Sequence, residues 1–229
     1  MEKEHFGRSS LEMKNVYILC EGPTEESVIN ELLYPYFLGY NIAVIPIICT
    51  TKRKDGKKYK GGVSSYGKIK KELAILCRSH KNEFVTTMFD YYEMPPDTPG
   101  ISDDTKDPIC RINAIEKAIE ADLSLSNCKF NLMLHEFEGI LFSDPDSFSS
   151  IADSSVVEEI RKIRDSFMSP EYINNSVETA PSKRIKALIP RYAKIRHSTF
   201  LANRIGIRRI MDECQHFRDW IQFIVSLSN

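Results

Sequence analysis

Three short apolar segments in the first 140 residues each run into an acidic residue, and this constrains the fold more than any other feature. Residues 16–20, Val-Tyr-Ile-Leu-Cys, stop at Glu21-Gly22-Pro23; residues 84–89 stop at Asp90; residues 130–134 stop at His135-Glu136-Phe137-Glu138. Apolar runs of this length, bounded by turn residues, read as buried strands. Between them lie helical patterns. Thr24 reads as an N-cap, Glu25 and Glu26 fall in a first turn, and Val28, Leu32, Leu33 and Tyr36 recur at helical spacing up to Gly39. Residues 66–78 and 108–123 give two further helices. Residues 42–48 give a strand whose place in the sheet Pro46 leaves open, since proline cannot donate to a ladder.

Strands alternating with helices imply an α/β fold: a mainly parallel sheet flanked by helices on both faces. After about residue 146 only helical periodicity remains. Ile185, Leu188, Ile189 and Tyr192 share one face, as do Ile207, Ile210, Met211, Cys214, Phe217, Ile221 and Ile224. The expected organisation is a loose leader at 1–15, an α/β domain at 16–145 and an all-helical C-terminal cap at 146–229 packed on it. A chain of 229 residues suffices for that.

The net charge of -1 conceals segregation. No Asp or Glu occurs between positions 179 and 211, where nine basic residues fall: Lys183, Arg184, Lys186, Arg191, Lys194, Arg196, Arg204, Arg208 and Arg209. A second basic cluster comprises Lys52, Arg53, Lys54, Lys57, Lys58 and Lys60, while acids gather at 90–107. Basic clusters beside an acidic centre suggest a polyanion-facing surface; the competing reading is solvated helix faces and a loop. The six cysteines show no C-x-x-C pair and no His at zinc spacing, which fits a reducing, cytoplasmic compartment. No apolar run approaches the roughly 20 residues of a membrane span, and the charged N-terminus is unlike a signal peptide.

Glu21, Asp90 and Glu136 each stand just past a strand end, and in an open parallel sheet those ends share the edge where ligands bind. Converging carboxylates repel and raise one another's pKa, a conflict that Mg²⁺ or Mn²⁺ resolves. Glu25 and Glu138 are further candidate ligands, although each is also explained as a first-turn acid opposing a helix dipole. Gly22-Pro23 suggests a tight turn with close ligand approach. His135 reads either as a ligand or base, or as a hydrogen-bonded structural residue. P-loop, dinucleotide, H-E-x-x-H and G-x-S-x-G motifs are absent from the sequence.

The strings Glu21-Gly22-Pro23-Thr24-Glu25, Phe89-Asp90-Tyr91-Tyr92, His135-Glu136-Phe137-Glu138, Pro170-Glu171-Tyr172-Ile173-Asn174 and Ala180-Pro181-Ser182-Lys183-Arg184, with Cys214, Phe217 and Trp220, resemble a bacterial family of unknown function in the Toprim-like superfamily. The resemblance implies that Glu21 and Asp90 take the Toprim positions after the first and a later strand, as in OLD-type nucleases. It departs from the pattern at Tyr92, which replaces the second Asp of D-x-D unless Glu136 or Glu138 substitutes. It also implies an ATPase partner in a phage-defence setting.

Three functions follow as expectations. The first is a metal-dependent nuclease. Its metal ligands are Glu21, Asp90, Glu136, Glu138 and Glu25; Lys183 stabilises developing charge; and Lys52, Arg53, Lys57, Lys58, Lys60, Arg184 and Arg191 grip nucleic-acid phosphates. The second is a non-catalytic regulatory or nucleic-acid-binding subunit of an ATPase complex. The third, ranked last for want of a D-x-D-x-[TV] motif, is a small-molecule phosphohydrolase.

Overall fold

The structure is a computed structural model that describes residues 13–49, 53–54, 57–58, 65–102, 104–174 and 179–228. Strand β1 (Lys14–Cys20) leads into α1 (Pro23–Val28), a π-helical turn at Ile29–Leu33 and α2 (Tyr34–Leu38). The helix starts two residues earlier than its sequence suggests. Gly22 is the N-cap and Pro23 opens the first turn, so Thr24 lies inside the helix rather than capping it. Pro35 explains the π turn: it has no N–H for the carbonyl four residues back, and Tyr34 N–H reaches Ile29 instead.

Strand β2 (Ile42–Ile48) follows, then a two-stranded ribbon of β3 (Arg53–Lys54) and β4 (Lys57–Lys58). Helix α3 (Tyr66–Ser79) leads to β5 (Phe84–Asp90), and α4 (Pro108–Leu123) leads to β6 (Cys128–Lys129) and β7 (Leu132–Met133). Asp107 caps α4 by accepting Cys110 N–H at 2.8 Å, with Pro108 in the first turn. The segment expected as one strand over 130–134 is therefore broken. The Thr87 hydroxyl accepts Asn131 N–H and donates to Asn131 C=O, both at 2.8 Å, in place of ladder bonds.

The strand order is β2-β1-β5, with β6 and β7 both on the outer side of β5, and every pair in this sheet is parallel. Pro46 is accommodated because β2 is an edge strand. The opposite edge is closed by α4: Glu120 accepts Phe130 N–H at 3.0 Å and Glu116 accepts Leu132 N–H at 2.8 Å.

The period-2 alternation of the strands divides the core into two layers. Val16, Ile18, Cys20 and Met88 face one cluster; Leu19, Val85 and Phe89 face the other, beneath α3 and α4. The first face carries α1, the 3₁₀ segments Phe137–Ser143 and Pro145–Ser150, and α5 (Ser154–Asp165), α6 (Pro181–Leu188), α7 (Lys194–Ile205), α8 (Ile207–Glu213) and α9 (Gln215–Ser226). Trp220 Nε1 on α9 donates to Thr86 Oγ1 of β5 at 3.0 Å, fastening the last helix to the sheet. Glu171 accepts the N–H groups of His216 and Phe217 at the start of α9, at 3.1 and 2.9 Å. All cysteines are free, and no helix among the described residues is long and apolar enough to cross a membrane.

Candidate functional site

Strand β1 hands the chain to β2 on one side and has β5 on the other. The carboxyl ends of β1 and β5 therefore flank the point where the sheet's winding reverses. Glu21 and Asp90 stand at those two ends. Glu21 Oε1 accepts Asp90 N–H at 2.9 Å, and Asp90 Oδ1 accepts Phe137 N–H at 3.0 Å. These two bonds join the ends of β1 and β5 to the 3₁₀ segment that carries Glu138.

Asp90 is 6% exposed and Glu138 is fully buried at 0%. Burial, and then the charges of Glu21, Glu25 and Glu138, hold the Asp90 carboxyl well above the carboxylate range. Burial with Glu93 and Glu25 nearby pushes Glu21 up to about 8, against the lowering effect of Asp90 N–H and Lys194. Burial likewise raises Glu138 to about 7 against the pull of Lys194, and it raises Glu25 on α1. Four acids delivered by different parts of the chain thus share one electrostatic environment.

The cation facing them is Lys194, the first residue of α7. Its Nζ lies 3.3 Å from Glu138 Oε2. Partial desolvation disfavours its charge, but Glu138, Asp90, Glu136 and Glu25 outweigh this and raise its pKa. Lys183, the base expected to assist, is exposed on α6. Arg184 donates to Thr179 C=O at 2.6 Å and lies over the Phe167 ring, and Arg191 is exposed between α6 and α7. Arg53, Lys57 and Lys58 lie in the β3–β4 ribbon; Lys52, Lys60 and the leader up to residue 12 fall outside the described residues.

Glu136 and Glu138 diverge. Glu136 Oε2 accepts Ser182 N–H at 3.0 Å and so caps α6, whose N-cap residue is Ala180. Glu138 turns inward, where Ser198 Oγ donates to its Oε1 at 3.4 Å. His135 has no hydrogen-bond partner at either ring nitrogen, lies 5.5 Å from the Tyr92 ring, and is held neutral by burial, which lowers its pKa to about 4. Gly22 has φ -165°, an extended conformation open to any residue, so no tight turn requires glycine there.

Sequence reasoning missed two residues. Glu93, one turn past Asp90, puts a carboxylate near Glu21 although Tyr92 occupies the D-x-D position. Lys194 was one of nine basic residues in an acid-free stretch. Its signal was a lysine at a helix start, where the dipole disfavours a cation.

This donor set fits a hard divalent cation. It is made of carboxylate oxygens, and Glu138 Oε2 is buried without a hydrogen-bond partner. As folded, no three His, Cys, Asp or Glu groups among the described residues are already drawn close enough to hold a metal ion.

Comparison with solved structures finds similarity to the C-terminal region of the Burkholderia pseudomallei OLD protein. The two share 16% identity with a TM-score of 0.45, over 93% of this chain and 98% of that one. No curated protein matches. A family model described as a domain of unknown function, DUF4276, matches residues 20–224.

Proposed function

The chain belongs to the DUF4276 family, a domain of unknown function, so its activity has to be read from its own site, and we propose that it is a Toprim-like, Mg²⁺- or Mn²⁺-dependent nuclease. The observation that carries this reading is the gathering of half-buried Glu21 with buried Glu25, Asp90 and Glu138 at the carboxyl edge of the sheet, with the Lys194 ammonium 3.3 Å from Glu138. Four clustered carboxyls, three of them buried, exceed what one ammonium neutralises when they ionise, and a divalent ion answers that imbalance.

Glu21, Asp90 and Glu138 would hold the ion, with Glu25 and Glu136 at its margin. A bound ion of this kind polarises a phosphoryl oxygen and lowers the pKa of water. The chain's own residues supply the frame. Asp90 N–H orients Glu21, Phe137 N–H orients Asp90, and Ser198 orients Glu138. Water adds to the phosphorus of a phosphodiester, the bond to one sugar oxygen breaks, and a phosphomonoester and a hydroxyl end result. Lys183, Arg191 and the basic 52–60 segment supply cations for the flanking phosphates.

The test is cleavage of supercoiled plasmid, linear DNA and RNA with Mn²⁺, Mg²⁺ or EDTA, beside Asp90→Asn. Metal-dependent cutting by the parent protein and none by the variant supports the reading. Absence of cutting by the folded parent chain under every metal overturns it.

Lys194 favours a second reading. An acidic centre held by its own lysine suits a non-catalytic subunit, with an ATPase as its partner. Its signature is polyanion or partner binding without turnover.

A further inference from the structure

Lys194 is placed against its own helix. It opens α7, where unsatisfied N–H groups carry partial positive charge and a lysine is disfavoured. Its ammonium is compensated from outside the helix, by Glu138 at 3.3 Å and by the nearby charges of Asp90, Glu136 and Glu25.

The two sides of this arrangement differ in how firmly they are held. Glu21 is fixed by Asp90 N–H, Asp90 by Phe137 N–H and Glu136 by Ser182 N–H. Glu138 is completely buried, and its Oε2 has no hydrogen bond, only the ionic contact with Lys194. The lysine side chain is 44% exposed on a flexible four-carbon stem, so its ammonium has a path to solvent. The acids are built in, and the cation is the part free to leave.

We propose that Lys194 is an exchangeable counter-ion: its ammonium neutralises the acidic centre while no divalent ion is bound and withdraws to solvent when one enters. This rests on reading the centre as a metal site and adds a competition within it. The metal must displace the ammonium from Glu138, so affinity is set partly by what Lys194 loses on leaving. The same tether keeps the acids from repelling one another in the metal-free protein.

Mn²⁺ binding, followed by calorimetry on the full chain, tests this with Lys194→Met, Lys194→Arg and Asp90→Asn. The expected result is measurable binding by the parent chain, binding about tenfold tighter in Lys194→Met, no gain in Lys194→Arg, and none in Asp90→Asn. Lys194→Met should also melt at a lower temperature without metal and recover when Mn²⁺ is added. If the parent chain binds Mn²⁺ and Lys194→Met binds no more tightly, the exchange is wrong while the metal reading stands. If no variant binds Mn²⁺, both fall.

A measurement on the parent protein avoids reliance on the folding of a variant. Acetylation of Lys194, read by peptide mass, should speed up several-fold when Mn²⁺ is added, because the amine leaves its carboxylate partner. An unchanged rate in protein that binds Mn²⁺ overturns the proposal.

Discussion

The backbone N–H of Asp90 donates to Oε1 of Glu21 at 2.9 Å, so the residue that ends β5 orients the residue that follows β1. Asn at position 90 leaves that N–H in place and keeps an oxygen for Phe137 N–H, while removing one ionisable carboxyl. Asp90→Asn and Glu21→Gln should each lower cleavage by at least about 100-fold, the upper range for loss of support around a metal. Neither should lower the melting temperature, since each relieves like-charge repulsion. Plasmid-cleavage rates and thermal melts on the same preparations check both halves.

Glu136 and Glu138 are two apart in sequence but have different duties. Glu138 is buried against Lys194, whereas one oxygen of Glu136 is committed to the start of α6. Glu138→Gln should therefore lower cleavage by at least about 100-fold, while Glu136→Gln, which keeps the capping oxygen, should lose less than about tenfold. Glu136→Ala should instead cost about 0.5–2 kcal/mol of stability, as a lost helix cap does. Urea midpoints and cleavage rates separate these outcomes.

A divalent ion that binds only the folded chain must stabilise it. Mn²⁺ at about 100 times its dissociation constant should add about 2.7 kcal/mol to unfolding. The gain should disappear in Asp90→Asn. Denaturant titration with and without Mn²⁺ measures it, and equal gains in parent and variant would place the ion elsewhere.

Much of this was readable from the sequence where one local cue decided the outcome. The strand-end positions of Glu21 and Asp90 were legible because an apolar run stopped at each. The broken strand at 128–133 was not, because the break is made by Thr87, more than 40 residues away in sequence. Glu136 and Glu138 looked alike because their difference is set by where α6 and α7 arrive from. Lys194 stayed hidden for the same reason: it becomes distinctive only once α7 packs beside α1 and the 3₁₀ segment.

His216 offers a pH signature away from the acidic centre. Its Nε2 lies 3.1 Å from Glu116 Oε1. Burial alone would lower its pKa, but Glu116, Glu171 and Asp219 outweigh it and raise it above 6.5. The folded chain then holds a proton that the unfolded chain releases. This contribution is complete below pH 6.5 and is lost as pH rises through the folded value. His216→Gln should be destabilised most at the acid end, and the gap to the parent chain should narrow as pH increases. Urea midpoints taken across that range decide it; a constant gap would mean that folding leaves the His216 pKa unshifted, and a gap that widens with pH that His216 is neutral when folded.

Trp220, the sole tryptophan, reports on how the C-terminal helices are attached. Its indole N–H donates to Thr86 Oγ1 at 3.0 Å, and the residue is 2% exposed. Thr86→Val keeps the shape of the strand residue but leaves a buried donor without its acceptor, a loss of about 1–3 kcal/mol. Residues of β1, β5, α1 and α5 to α9 also belong to one apolar cluster, so the helical segment after residue 146 and the sheet should unfold together. Tryptophan fluorescence and far-ultraviolet circular dichroism should then trace the same single transition, shifted to lower denaturant in Thr86→Val. A fluorescence change that precedes the loss of helix signal would instead mean that α9 undocks while the sheet is still folded, making the cap a separate cooperative unit.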